Sequence, residues 1–349
     1  MPIHDLGYRP WNGELKSMFS KFLVIASSGI SLAGKNRWMR RILMIAWIPV
    51  LYWGAAFFFV GRTFEQPKSA QVGKIESLKQ EVKLHFKRKA AQTSIERMFR
   101  RTPLDISLML NSIEQTESNE QARNRLWSWL LMTFFRYSQA ILILVLVGSI
   151  APALISRDLR SRAYLLYFSR PIGKLEYIMG KIAVPATYIV LVSTLPALVL
   201  YVFGVMMSPD ISVVYSTWDV PIRVLLATVV LVVPTSTFAL MLSSLTSESR
   251  FASFAWFASW ILGHGAWQTM VVATAMRMNT ATADPDVMNS PAVKNWSHLS
   301  IYNNLGEVQT WIFGFKEFGE IIPAATILLA MTLISLIILY FRVKAPLRA

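Results

Sequence analysis

The sequence predicts an all-α integral membrane protein with six transmembrane helices and both termini in the cytoplasm. Of its 349 residues, 54% are hydrophobic, more than a water-soluble domain usually carries. Those residues gather into six apolar runs of about 20 residues, the length that crosses a bilayer as helix. The runs are 42–61, 133–155, 182–203, 224–245, 251–275 and 321–341. The basic residues behind the net charge of +15 stand at the ends of these runs, where topology signals belong. That placement argues for a lipid bilayer and against nucleic acid as the partner of the charge. The absence of cysteine excludes disulfides, thiolate-bound zinc and thiol catalysis.

Residues 1–41 read as a cytoplasmic N-terminal segment. Leu15, Met18, Phe19, Phe22, Leu23 and Ile25 recur between Lys16 and Lys21 and beyond, which suits an amphipathic helix lying in the interface. Lys35, Arg37, Arg40 and Arg41 then hold the start of the first span, 42–61, on the cytoplasmic side. This run is too long and too far from Met1 for a cleaved signal, so it reads as a retained anchor. Residues 62–132 form an external helical segment. Ile75, Leu78, Val82 and Phe86, then Ile95, Met98 and Phe99, recur at helical spacing among charges. Its many Lys and Arg are compatible with that side, because long loops cross largely regardless of charge.

After the second span, 133–155, comes a cytoplasmic segment at 156–181 that carries Arg157, Arg160, Arg162, Arg170, Lys174 and Lys181. From Arg157 onward, Leu159, Ala163, Leu166 and Tyr167 fall on one helical face while Arg157, Arg160 and Arg162 fall elsewhere. A short helix parallel to the membrane follows, ended at Arg170-Pro171 because proline disfavours helix in the residue before it. Apolar residues held in water between two spans call for a soluble partner that packs on them. Spans three to six occupy 182–349, with the tight turn 246–250 inside and, at about 276–319, an external loop with short helices. Arg342, Lys344 and Arg348 keep the C-terminus in the cytoplasm.

Several chemistries are disfavoured by what the runs lack. The stretch from Gly29 to Gly34-Lys35 approaches a phosphate-binding loop, but Asn36 stands where Ser or Thr would hold magnesium. No acidic residue lies in the apolar centre of any run, whereas ion-coupled carriers keep one there. His4, His85, His264 and His298 are scattered, without metal-ligand spacing. Ser259 lies near His264, but no carboxylate at depth completes a hydrolase site. No catalytic or metal-ligating residue is expected. Pro185, Pro196 and Pro234, the last beside Thr235, Ser236 and Thr237, read either as hinge or pathway residues or as ordinary membrane-helix composition. His264, between Gly263 and Gly265, reads as a packing residue or a relay.

The phrases Ser156-Arg-Asp-Leu-Arg-Ser-Arg162, Leu165-Leu-Tyr-Phe-Ser-Arg-Pro171-Ile and Glu176-Tyr-Ile-Met-Gly-Lys181 resemble the coupling region of type-2 ABC transporter permeases. A further phrase, Leu240-Met-Leu-Ser-Ser-Leu-Thr-Ser-Glu-Ser-Arg250, is similar to that family's exit from the fourth span. The resemblance implies a permease subunit, with export as the family tendency, and no enzymatic activity of its own. It implies a separate ABC ATP-binding subunit that carries ATP and magnesium, and pairing with a second permease copy or a paralogue. It implies a multi-pass protein of the cell inner (plasma) membrane. It assigns contact with the ATPase to Arg157, Asp158, Leu159, Arg160, Arg162, Tyr164, Leu166, Tyr167, Arg170 and Pro171. The alternative reading is a non-transporting scaffold or sensor that binds an external partner through 62–132.

Overall fold

The computed structural model describes residues 18–64, 119–138, 140–163, 172–208, 213–280, 282 and 285–344. Among them every regular element is a helix. Three helices open the described chain: α1 (Met18–Gly34), α2 (Arg37–Ala46) and α3 (Ile48–Phe64). Asn36 starts α2 by accepting a hydrogen bond from the Trp38 amide at 3.0 Å, which satisfies one of the helix's orphan donors. Next come α4 (Asn119–Thr133), a π-helical turn at Phe134–Ser138, and α5 (Ala140–Arg160). They are followed by α6 (Lys174–Ile189), a second π turn at Val190–Thr194, α7 (Leu195–Met207) and the short α8 (Val213–Thr217). The last six are α9 (Asp219–Leu245), α10 (Ser249–Met278), α11 (Pro285–Asn289), α12 (Pro291–Ser297), α13 (Ile301–Ile312) and α14 (Phe318–Lys344).

Five stretches among the described residues are long and apolar enough to cross a membrane: Arg37–Phe58, Ala140–Arg160, Lys174–Met207, Val213–Leu245 and Phe318–Val343. The expected crossing at 251–275 falls within α10. At 30 residues it spans about 45 Å, ample for a bilayer. Its tryptophans, His264 and Gln268 leave it less apolar than the other five. Most of the expected external segment, 65–118, lies outside the described residues.

The bundle is organised around α9, which packs against α5, α6, α10, α13 and α14. Its buried positions alternate small and large residues, among them Ala227, Thr228, Leu231, Ser236, Ala239 and Leu240. Small and hydroxyl-bearing residues let neighbouring helices approach closely where lipid offers no hydrophobic drive. The helix α1 lies alongside α6. A Cβ on Gly180 would stand 2.7 Å from Ile25 Cγ2, so only glycine admits this contact. Further along, Tyr188 Oη donates to Ile30 O at 2.8 Å.

Within 276–319, the helix α13 packs among α9, α10 and α14. Asn303, Asn304, Leu305, Val308, Gln309 and Thr310 are all buried there. Several polar groups of this helix find partners inside the bundle, although Asn303 Nδ2 is buried without one. Ser300 accepts from the Asn303 amide at 3.2 Å, and Asn304 Nδ2 donates to His298 O at 2.8 Å.

Candidate functional site at the basic end of the bundle

The C-terminal ends of α5, α9 and α14 and the N-terminal ends of α6 and α10 gather at one end of the bundle. Arg160 on α5 reaches Glu248, which caps α10, at 3.4 Å. Lys174 Nζ on α6 stands 5.9 Å from the centre of the Tyr340 ring on α14. The expected site segment begins here. The sequence suggested a separate helix from Arg157, but the structure carries α5 through to Arg160. Arg162 then takes a left-handed backbone, φ 53°, which stops the helix.

The charged residues of this end divide into two sets. Arg157, Arg160 and Arg162 are exposed, with the Arg160 side chain 66% accessible. Asp158 turns the other way, toward α6. Its carboxylate meets Lys181 Nζ at 2.6 Å and accepts from Tyr177 Oη at 2.7 Å. The two side chains are 15% and 10% exposed, so the pair is nearly dry. Lys181 also donates to Leu154 O at 2.8 Å and lies 5.3 Å from the centre of the Tyr177 ring. Each helix contributes two positions four residues apart, Leu154 and Asp158 against Tyr177 and Lys181, so one helical face meets the other. Leu159 is half-buried against the core. Tyr164, Leu166, Tyr167, Arg170 and Pro171 lie outside the described residues.

Behind this brace, Ser243 of α9 enters the backbone of α5. Its Oγ donates to Pro152 O at 2.6 Å and accepts from the amides of Ile155 and Ser156, each at 3.1 Å. In the sequence Lys181 reads as a topology charge, and neither Tyr177 nor Ser243 stands out as a site residue. The four-residue spacing of Tyr177 and Lys181 was the available signal.

The expected hinge residues are distributed along the bundle. Pro185 is buried inside α6. Pro196 follows the π turn at Val190–Thr194, where the Leu195 amide bonds to Val190 O, five residues back. The proline ring crowds the carbonyl four residues before it, and the helix widens at that point. Pro234 is buried inside α9. Thr235 and Thr237 turn their hydroxyls onto their own helix, at Leu231 O and, at 2.7 Å, Val233 O. Ser236 is fully buried with its hydroxyl unpartnered. His264 Nδ1 lies 3.3 Å from Ser300 Oγ, with the rings of Trp267 and Tyr302 beside it. Near this level Phe135, Arg136, Leu231, Trp260, Tyr302 and Gln309 line a small cavity.

The opposite end of the bundle has its own charge cluster. Arg125 donates to Gly314 O, Arg223 pairs with Asp219 at 2.8 Å, and Asn124 Nδ2 also donates to Asp219 at 2.7 Å. Gly314 has φ +83°, and a Cβ there would stand 2.9 Å from Arg125 Nη1. Burial and the neighbouring Arg223 hold Arg125 below the ordinary arginine pKa, with Asp219 opposing them.

No curated protein matches the chain. The family model described as ABC-2 family transporter protein matches residues 34–344, from the end of α1 to the end of α14. With at least five helices fit to span a bilayer and nearly its whole length matched, this chain belongs to the ABC-2 family of transporter proteins, as a multi-pass membrane permease.

Proposed function

We propose that the chain is the permease subunit of an ATP-driven exporter and docks a separate ATP-binding subunit on its basic end, around 156–181. The observation that carries this is the division of charge on α5. Three arginines face outward from a helix end that the inward-facing Asp158 fastens to α6. Exposed guanidiniums on a rigid base offer a partner fixed, directional donors. Nucleotide chemistry resides in the partner, and this chain supplies the moving membrane part.

In this reading α10 is the fifth of six crossings, turning back from α9 at Glu248. The basic end faces the cytoplasm, with Arg157, Arg160, Arg162, Lys174, Arg250 and Arg342 set there as positive-inside topology requires. The helix α1, seated on Gly180, lies at the cytoplasmic interface beside the loop that receives the partner. The chain works in the inner (plasma) membrane beside a second permease subunit.

The test is co-purification in mild detergent. The Arg160→Glu, Arg162→Glu double variant is expected to lose the ATP-binding subunit while keeping its helical content and monodispersity. Full retention of that subunit by the double variant overturns the docking assignment. Absence of any ATP-binding subunit from the unmodified chain overturns the permease mechanism.

A further inference from the structure

Pro152 interrupts α5 two turns before its tip, and neighbouring helices supply what the proline removes. Proline has no amide hydrogen, so the carbonyl of Gly148 loses its helical donor. Ser253 Oγ of α10 donates to that carbonyl at 3.3 Å. Gly148 is pressed against α10 so closely that a Cβ would lie 2.7 Å from Trp256 Cδ1. One turn later, Ser243 Oγ of α9 stands inside the hydrogen-bond ladder. It donates to the Pro152 carbonyl at 2.6 Å, an oxygen that also accepts from Ser156 Oγ at 2.5 Å, and it accepts from the Ser156 amide at 3.1 Å. Ser243 and Ser156 are fully buried, so no water competes for these groups. A side chain inserted into the ladder beside a proline is a recognised cause of a helix kink.

Beyond this joint, the tip of α5 and the first two turns of α6 are fastened by Asp158, Tyr177 and Lys181. Before it, Gly148 and Leu144 are held to α10, the latter through Trp256 Nε1 at 3.0 Å. The joint therefore separates a fixed stretch of helix from a small block carrying the exposed arginines.

We propose that Ser243 is a positioning residue that sets the angle of a proline joint in α5, about which the α5–α6 block swings as one piece when the ATP-binding subunit closes. The swing rests on the permease reading above; the joint itself does not. Ser243→Ala removes the inserted hydroxyl and leaves the Pro152 carbonyl to the amide and hydroxyl of Ser156 on its own helix. The helix then straightens. A change of about 20° over the eight residues from Pro152 to Arg160 moves the tip by roughly 4 Å.

The experiment uses the full chain, which contains no cysteine to compete for label. Nitroxides are placed on Arg157→Cys and Arg250→Cys, and their separation is read by electron paramagnetic resonance in detergent. Without nucleotide, Ser243→Ala is expected to shift the separation by up to about 2.5 Å from the unmodified chain, because the label at 157 lies five residues beyond Pro152. Ser244→Ala, whose hydroxyl bonds only Met241 O of its own helix at 2.7 Å, is expected to leave it in place. Pro152→Ala restores the missing donor and is expected to shift it too, reading the same joint should Ser243→Ala fail to fold. An unchanged separation in Ser243→Ala and Pro152→Ala, or an equal shift in Ser244→Ala, overturns the joint.

A second arm adds the co-purifying ATP-binding subunit with ATP and vanadate. The unmodified pair is expected to change separation, and Ser243→Ala to lose at least half of that change. A full response in Ser243→Ala overturns the swing. If no ATP-binding subunit co-purifies, the permease reading fails while the nucleotide-free comparison still decides the joint.

Discussion

At the basic end, Asp158 and Lys181 face each other across α5 and α6 with matched charge, whereas at the opposite end Arg125 and Arg223 converge on the main chain of one turn at Gly314. The first arrangement is built on a side-chain ion pair, with one further bond from Lys181 to the Leu154 carbonyl, and fastens two helices that bracket one loop. The second caps the carboxyl end of α13, where the helix dipole offers partial negative charge to cations. A pair of side chains tolerates exchange of its members. A carbonyl-capping arginine does not, because the backbone cannot change sign. The two ends thus use similar charges for different jobs: one makes a small block rigid, the other anchors a polar helix inside the bundle.

The strongest test of that contrast is Lys181→Met. It strands a nearly buried carboxylate and is expected to cost about 3 kcal/mol in a denaturant titration followed by tryptophan fluorescence. The exchange Asp158→Lys with Lys181→Asp is expected to recover part of that loss, less than half, because a carboxylate at 181 cannot donate to the Leu154 carbonyl. No recovery would mean the pair acts through shape and not through charge. At the far end, Gly314→Ala places a methyl against both guanidiniums in a left-handed backbone and is expected to cost roughly 2 kcal/mol. Charge exchange between Arg125 and Asp219 is expected to rescue nothing there, since Arg125 bonds to a carbonyl.

Smaller effects sharpen the same comparison. Tyr177→Phe removes one donor to Asp158 and is expected to cost about 1.5 kcal/mol in the same titration. Glu248→Gln breaks only an exposed ion pair and is expected to change stability by less than about 0.5 kcal/mol. A large loss from Glu248→Gln would show that the α5–α10 contact, and not the α5–α6 brace, holds the basic end together.

Much of the helix layout was legible in the sequence, because apolar runs and their basic flanks follow from lipid as a solvent. The direction of individual charges was not. Asp158 stands among Arg157, Arg160 and Arg162 in sequence, and nothing local distinguishes an inward carboxylate from an outward one. Only the register of α5 against α6 brings Lys181 within reach. The burial of α13, within a segment expected to be an external loop with short helices, was hidden for a related reason. Asn303, Asn304 and Gln309 read as solvent-facing in a membrane chain, yet they are buried, with His298 holding the Asn304 side chain and Ser300 the Asn303 amide. Ser243 was obscured by type alone, one serine among several, and only its bonds to Pro152 O and to the Ile155 and Ser156 amides mark it out.

In the proposed docking, the outward Arg157, Arg160 and Arg162 meet an ATP-binding subunit while Asp158 and Lys181 do not. Single cysteines placed in this cysteine-free chain at Arg157, Arg160, Arg162, Asp158, Lys181 and, at the opposite end, Lys316 allow chemical cross-linking to the co-expressed subunit in native membranes. Cross-links from the three arginine positions alone are the predicted result. Cross-links from Lys316, or from Asp158 and Lys181 with none from the arginines, would contradict it.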